Sequence, residues 1–447
     1  MTNLKNKFLS VALLSATLIS NPMAEEDESV GPSLFGEGKR RTFLINQKDI
    51  KFTEKDERKN TFHGGISVIE GPRSKYARLL SENQVTPKKD GSYAYKVGEV
   101  SDNTRRALDA FTVTTIAGMT YESDMITIAN SEHRTDIYKA KMKQVLDNWN
   151  NPGMTPVYIV PENTSDTNNA FFTLISNGLD DDIAVVQFFP IEKNGKIVGN
   201  VGNSFEAKAH EAGHALLTRM NKMTFYGGGI QIYAFHEAFG DLTSLFLMLD
   251  DANICRDIIK KAGGDLGKIR QLVEFGEETG DAIFGSPLRM RNDNGKISDF
   301  NVDWGHYELS LYISGAVYNI IQKAYKQAFD AKPAQYMDNH PDRLLYDVGR
   351  AVRLMFIESA MNIPIDSSMN LVDWSRSFTA AAKSPIVTVD GVHIDWGKIV
   401  KDEMEAREFE ISSWLNNARG LAGEHGLKGE EQKNSKGKRC NFGHCKG

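Results

Sequence analysis

An α+β fold is the class this sequence predicts, and three observations carry the prediction. Short apolar runs broken by Gly, Pro and charged clusters fill the chain up to about residue 200, the pattern of strands and turns. From Asn203 onward apolar residues recur at helical spacing over long stretches. Apolar residues make up 40% and charged residues 25% of the 447, an ordinary globular balance that excludes a disordered chain. Strands first and helices after imply a mixed N-terminal lobe and a helical C-terminal lobe. With 53 Lys+Arg against 59 Asp+Glu, the net charge of −6 gives no electrostatic reason for nucleic-acid binding.

Residues 1–24 read as a secretory signal peptide. Lys5 and Lys7 precede the apolar run Phe8–Ile19, and small and polar residues follow to Ala24. That run is too short to anchor in a bilayer, and no later segment reaches spanning length. The expected product is therefore secreted or periplasmic, without a membrane anchor, and monomeric. Residues 25–100 read as a β-rich extension or shortened pro-region, with strand signals at Thr42–Ile45, His63–Glu70 and Ser92–Val97. Helices are expected at Thr104–Gly118 and at Glu132–Trp149, where Ile137, Met142, Val145 and Trp149 share a face.

Strand signals follow at Pro156–Val160, Ala170–Ile175 and Asp182–Phe189, the last bounded by the turn-like Glu192–Gly195. Helices are then expected at Phe205–Asn221, Tyr233–Asp250, Leu309–Phe329, Asp342–Asn362, Leu371–Ala382 and Trp396–Glu408. Residues 101–250 and 251–419 are expected as the two lobes. Residues 420–447 are Gly/Lys-rich and aperiodic, which predicts a disordered tail. Cys255, Cys440 and Cys445 are too few for a disulfide framework.

The chemistry concentrates at His210-Glu211-Ala212-Gly213-His214. Two histidines four apart stack on one face of a helix and can bind one zinc ion together. Glu211 lies about 100° round the helix, beside the metal and not on it. Asn203 or Ser204 is placed to cap that helix. Gly213 is a poor helix former whose use is to let another backbone or the metal approach closely. Catalytic zinc takes three protein ligands and leaves a position open. The next helix supplies the third in His236-Glu237-Ala238-Phe239-Gly240-Asp241. Glu237 and Asp241 share a face amid apolar neighbours, where unpaired carboxylates would be costly. A metal for Glu237 and an imidazole N–H for Asp241 resolve both. His236 is a rival ligand, about 100° away from Glu237.

These residues resemble the gluzincin metallopeptidases, and more narrowly their thermolysin-like branch. The resemblance implies a two-lobe fold with the zinc site in the cleft between the lobes. It implies zinc ligation by His210, His214 and Glu237, with Glu211 as general base. Asp241 would orient the first histidine. Asn169-Ala170-Phe171-Phe172 is similar to the family's edge strand that binds substrate backbone. Leu288-Arg289-Met290 resembles the segment whose arginine contacts a substrate carbonyl. Asp303-Trp304-Gly305-His306 resembles the segment carrying a transition-state histidine. His236 and Gly240 stand where the branch usually has Asn and Ser.

Peptide hydrolysis also needs donors to the tetrahedral oxyanion. His306, oriented by Asp303 or Asp299, is the first choice. Tyr226, ahead of Gly227-Gly228-Gly229, is the second, or else packs under that turn. Arg289 would hold substrate in register. Asp180-Asp181-Asp182 and Glu277-Glu278 are acidic clusters that read either as solvated turns or as calcium ligands. The function expected is a secreted zinc metallopeptidase, an endopeptidase by resemblance, acting on protein or peptide. The alternative is an exported zinc-binding scaffold of the same fold without turnover.

Overall fold

A nearly continuous apolar segment, Asp182–Phe188 (β6), organises the first part of the chain, and Ala184 through Phe188 are buried without alternation. Such a strand belongs inside a sheet with both faces covered. The computed structural model describes residues 59–62, 66–81, 100–149, 156–164, 166–176, 182–221, 224, 229–262, 265–276, 280, 289–291, 294–331, 341–363, 370–386, 389, 392–416, 432–433 and 439–440. It is mixed α+β and predominantly helical. Contacts divide the chain into two compact units. One comprises Met1–Ser123 with Pro152–Lys208, the other Asp124–Asn151 with Ala209–Gly447. The division falls at Lys208, ahead of the boundary at residue 250 expected from the sequence.

In the first unit, β1 (Lys59–Phe62), β2 (Ile66–Arg73), β3 (Ala77–Ser81), β4 (Val157–Val160), β5 (Ala170–Ser176) and β6 form one sheet in the order β1-β2-β3-β4-β6-β5. The β3–β4 and β4–β6 pairs are parallel and the rest antiparallel. Leu80, Val160 and Val185 form a core cluster, with Tyr158 and Ile183 packed on it. β3 carries Arg78 amid its apolar residues, which hides it from a pattern search. Arg78 reaches the neighbouring strand, donating to Tyr158 Oη at 3.2 Å. The expected turn before residue 196 joins β7 (Pro190–Lys193) to β8 (Lys196–Asn200). Asn194 and Gly195 both have positive φ, 55° and 75°, as a two-residue hairpin turn requires.

The helix expected at Thr104–Gly118 is longer, spanning Asp102–Ala129 (α1). Gly118 does not end it. A Cβ there would lie 2.5 Å from the Tyr76 ring, so this glycine admits a side chain against the helix. Tyr76 and Lys75 both reach Glu122 one turn further on.

In the second unit α2 spans Asp136–Trp149, and α3 (Phe205–Met220) enters at Ala209. α4 (Ile230–Leu249) has nearly every residue from Gln231 to Leu249 buried, the pattern of a central helix. α5 (Ala252–Ala262), α6 (Arg270–Val273), the short pair β9 (Glu274–Phe275) and β10 (Arg289–Met290), α7 (His306–Ala331), α8 (Pro341–Met361), α9 (Leu371–Lys383) and α10 (Trp396–Ala406) complete it. An aromatic cluster of Phe235, Phe239, Phe356, Trp374 and Phe378 joins α4, α8 and α9. Arg353 is buried between Asp124 and Asp250, within 2.5 Å of each, so its charge is paired twice.

The expected signal peptide, the strands at Thr42–Ile45 and Ser92–Val97, Cys445, and most of residues 420–447 lie outside the described residues. The described parts of that last stretch are two paired dipeptides, Gln432–Lys433 and Arg439–Cys440. Cys255 is buried and unbridged. No described helix is long and apolar enough to cross a membrane.

Candidate metal centre

α3 and α4 bring the candidate ligands together because glycines sit where the helices cross. A methyl on Gly213 would lie 2.9 Å from Gly240 Cα and 2.7 Å from Thr243 Oγ1. A methyl on Gly240 would lie 2.7 Å from His210 Nδ1. The backbone approach expected at Gly213 is therefore that of the third-ligand helix itself. At this crossing His210, His214 and Glu237, all buried, offer donor atoms within 4.8 Å of one another. His210 Nε2 lies 3.4 Å from Glu237 Oε2, and His214 Nε2 lies 3.6 Å from Glu237 Oε1. Among the described residues this is the group able to hold a metal ion. Two imidazoles and one carboxylate suit zinc with a position left open.

Asp241 Oδ1 lies 2.8 Å from His210 Nδ1, which leaves Nε2 toward Glu237. His236 does not join the ligand trio. Its Nδ1 lies 2.7 Å from His214 Nδ1, and its Nε2 lies 3.4 Å from Thr218 Oγ1. Arg289 on β10 is buried and donates through Nη1 to Glu237 Oε2 (3.3 Å) and Asp241 Oδ2 (3.2 Å). Its guanidinium lies over the rings of Phe275 and Tyr307. Phe275 also lies 5.3 Å from the His210 ring, so β9 supports ligand and arginine together.

His306 opens α7, its ring 5.7 Å from Tyr233 and 4.2 Å from Tyr307. Burial lowers its pKa, and the charges of Glu237 and Arg289 act on it. Its expected partner Asp303 is displaced from that role. Asp303 is exposed in a 3-10 turn, where Gly305 at φ 85° redirects the chain before His306. No hydrogen bond joins Asp303 or Asp299 to His306 among the described residues. Tyr307 carries no motif, yet it faces this centre. The Glu237 charge, then burial, raises its pKa, with further contributions from Glu211 and Asp241.

Asn169 and Ala170 lie in the other unit, at the start of edge strand β5. Ala170 pairs with Phe188, and the Asn169 carbonyl accepts from Phe189 N at 3.0 Å. Tyr226, Asp180, Asp181, Glu277 and Glu278 lie outside the described residues. Asp182 opens β6.

The electrostatics would tie metal binding at this group to pH. Burial disfavours charge on His210, but hydrogen bonds to Asp241 and Glu237 outweigh it and raise its pKa from 6.5 to about 9. Burial, reinforced by the nearby His210 charge, depresses the pKa of His214. Glu237 is held well below its usual range: burial opposes this, but His210, His214 and Arg289 prevail. In chelated protein, the raised His210 pKa contributes stability fully present below 6.5 and lost as pH climbs through about 9. A metal bound at His210 would have to displace that proton, so any metal-linked stabilisation would grow across the same window. The gap in Tm between zinc-loaded and chelated protein is expected to widen from pH 6.5 to 9. A constant gap would show that His210 does not exchange its proton for metal.

No protein-family model matches the chain, and no curated protein matches it.

Proposed function

We propose that this protein is a zinc-dependent metallopeptidase, with the two-lobe thermolysin-like arrangement as part of the same reading. The observation that carries it is the convergence of His210, His214 and Glu237 beside Glu211 in one buried helix crossing. A structural zinc site is closed by four ligands and has no use for a base next to the metal. Zinc held by these three residues supplies a Lewis acid and lowers the pKa of water toward neutrality.

The chain's own residues do the rest. Glu211 accepts a proton from the attacking water and delivers it to the leaving amine. His306 and Tyr307 donate to the developing oxyanion from the first turn of α7, where the helix N-terminus also favours negative charge. The raised pKa of Tyr307 keeps its hydroxyl protonated for that purpose. Arg289 uses Nη1 to hold Glu237 and Asp241. Its contact with a substrate carbonyl is what the resemblance implies, while the structure shows it bracing those two carboxylates.

The purified protein is expected to hold about one zinc per chain, to cleave a denatured protein, and to stop when chelated. Metal analysis with mass-spectrometric mapping of cleavage sites tests this. Zinc without cleavage across a broad peptide library would establish the scaffold reading instead. Absence of zinc would remove both.

A further inference from the structure

The two imidazoles at the crossing are braced by different chemistry. Asp241 braces His210 with an anion at 2.8 Å. His214 is braced by a second imidazole, His236, through an Nδ1–Nδ1 contact of 2.7 Å. Two nitrogens that close form a hydrogen bond only if one carries the proton and the other does not. The pair by itself permits either direction.

Thr218 breaks that degeneracy. Its hydroxyl donates to the His214 carbonyl at 2.8 Å, four residues back along α3. With its one proton spent there, Thr218 Oγ1 can only accept from His236 Nε2, at 3.4 Å. His236 then carries its proton on Nε2 and accepts at Nδ1. His214 must therefore carry its proton on Nδ1 and present a bare Nε2 toward Glu237 Oε1, 3.6 Å away. Each proton around this loop has one donor and one acceptor, with no net charge.

We propose that Thr218 and His236 form a neutral tautomer lock that presets His214 as an Nε2 metal ligand. This deepens the metal-site reading above and rests on it. Both are positioning residues, acting through His214. The second ring nitrogen of an imidazole at residue 236 is what extends the chain of hydrogen bonds to Thr218.

Two measurements test the lock. The first is zinc affinity by competition with a chromophoric chelator. His236→Leu is expected to weaken it by about 10–100-fold. His236→Asn places an amide oxygen where Nδ1 stood and is expected to restore it. Leucine at wild-type affinity, or asparagine as weak as leucine, would overturn the proposal. The second needs neither metal nor activity. Long-range proton–nitrogen correlation spectra of chelated, 15N-histidine-labelled protein should show His236 protonated on Nε2. Thr218→Val should lose that preference, and Thr218→Ser should keep it. A proton on His236 Nδ1 in the wild type would refute the lock. If the wild type binds no zinc, the metallopeptidase reading falls, and the tautomer result still stands or fails independently.

Discussion

Glu211→Gln is expected to keep its zinc and to lose peptide hydrolysis by about 10²–10⁴-fold. The amide matches the carboxylate in shape, so packing in α3 is unchanged, but it cannot accept a proton from water. Glu211 is 2% exposed, so an amide of the same volume keeps the packing around it. The fold should therefore persist while turnover collapses. Because the lost interaction belongs to the transition state, the fall should appear in kcat with KM little changed. It corresponds to about 3–5 kcal/mol of barrier. The check is kcat and KM on a quenched fluorescent peptide, with zinc content measured on the same preparation. Loss of metal would make Glu211 a ligand. Undiminished turnover would place the base elsewhere.

How much of this was legible beforehand depends on whether a local rule applied. Helical spacing placed His210 and His214 on one face and Glu237 and Asp241 on another, and the structure brings those faces together. The 100° step from Glu237 to His236 told against shared ligation, and His236 indeed turns to His214 instead. What it turns to could not be read, because that depends on where α3 lies against α4. Phe275 and Tyr307 reach the centre from distant segments with no motif of their own, and only packing reveals them. Gly118, where the expected helix stopped, lies inside α1, and its value is the room it leaves for Tyr76. The missed helix α5 did carry a signal, with Ile254, Cys255, Ile258, Ile259 and Ala262 forming a buried stripe at helical spacing. Asp303 failed as the partner of His306 because nearness in sequence does not survive a turn at positive φ.

The same steric logic gives Gly213→Ala and Gly240→Ala effects opposite to helix propensity. In an exposed helix interior, replacing glycine by alanine stabilises by about 1 kcal/mol. Here the added methyl at residue 213 meets backbone at 2.9 Å and Thr243 at 2.7 Å, and neither is the end of a flexible side chain. Overpacking of this kind costs about 1–3 kcal/mol, so Gly213→Ala is expected to lower Tm by moving α3 off α4. At residue 240 the methyl meets the His210 ring at Nδ1, the atom that Asp241 also holds. The ring has to swing, so the damage should fall on the metal more than on the fold. Gly240→Ala is thus expected to lose about 10-fold or more in zinc affinity, on the scale of other disturbances to a ligand's support. Thermal unfolding of chelated protein separates fold from metal, and chelator competition then reads the metal alone. A Gly213→Ala protein with raised Tm, or a Gly240→Ala protein with unchanged zinc affinity, would mean that the helices do not cross at these glycines. The ligand trio would then need another way to meet.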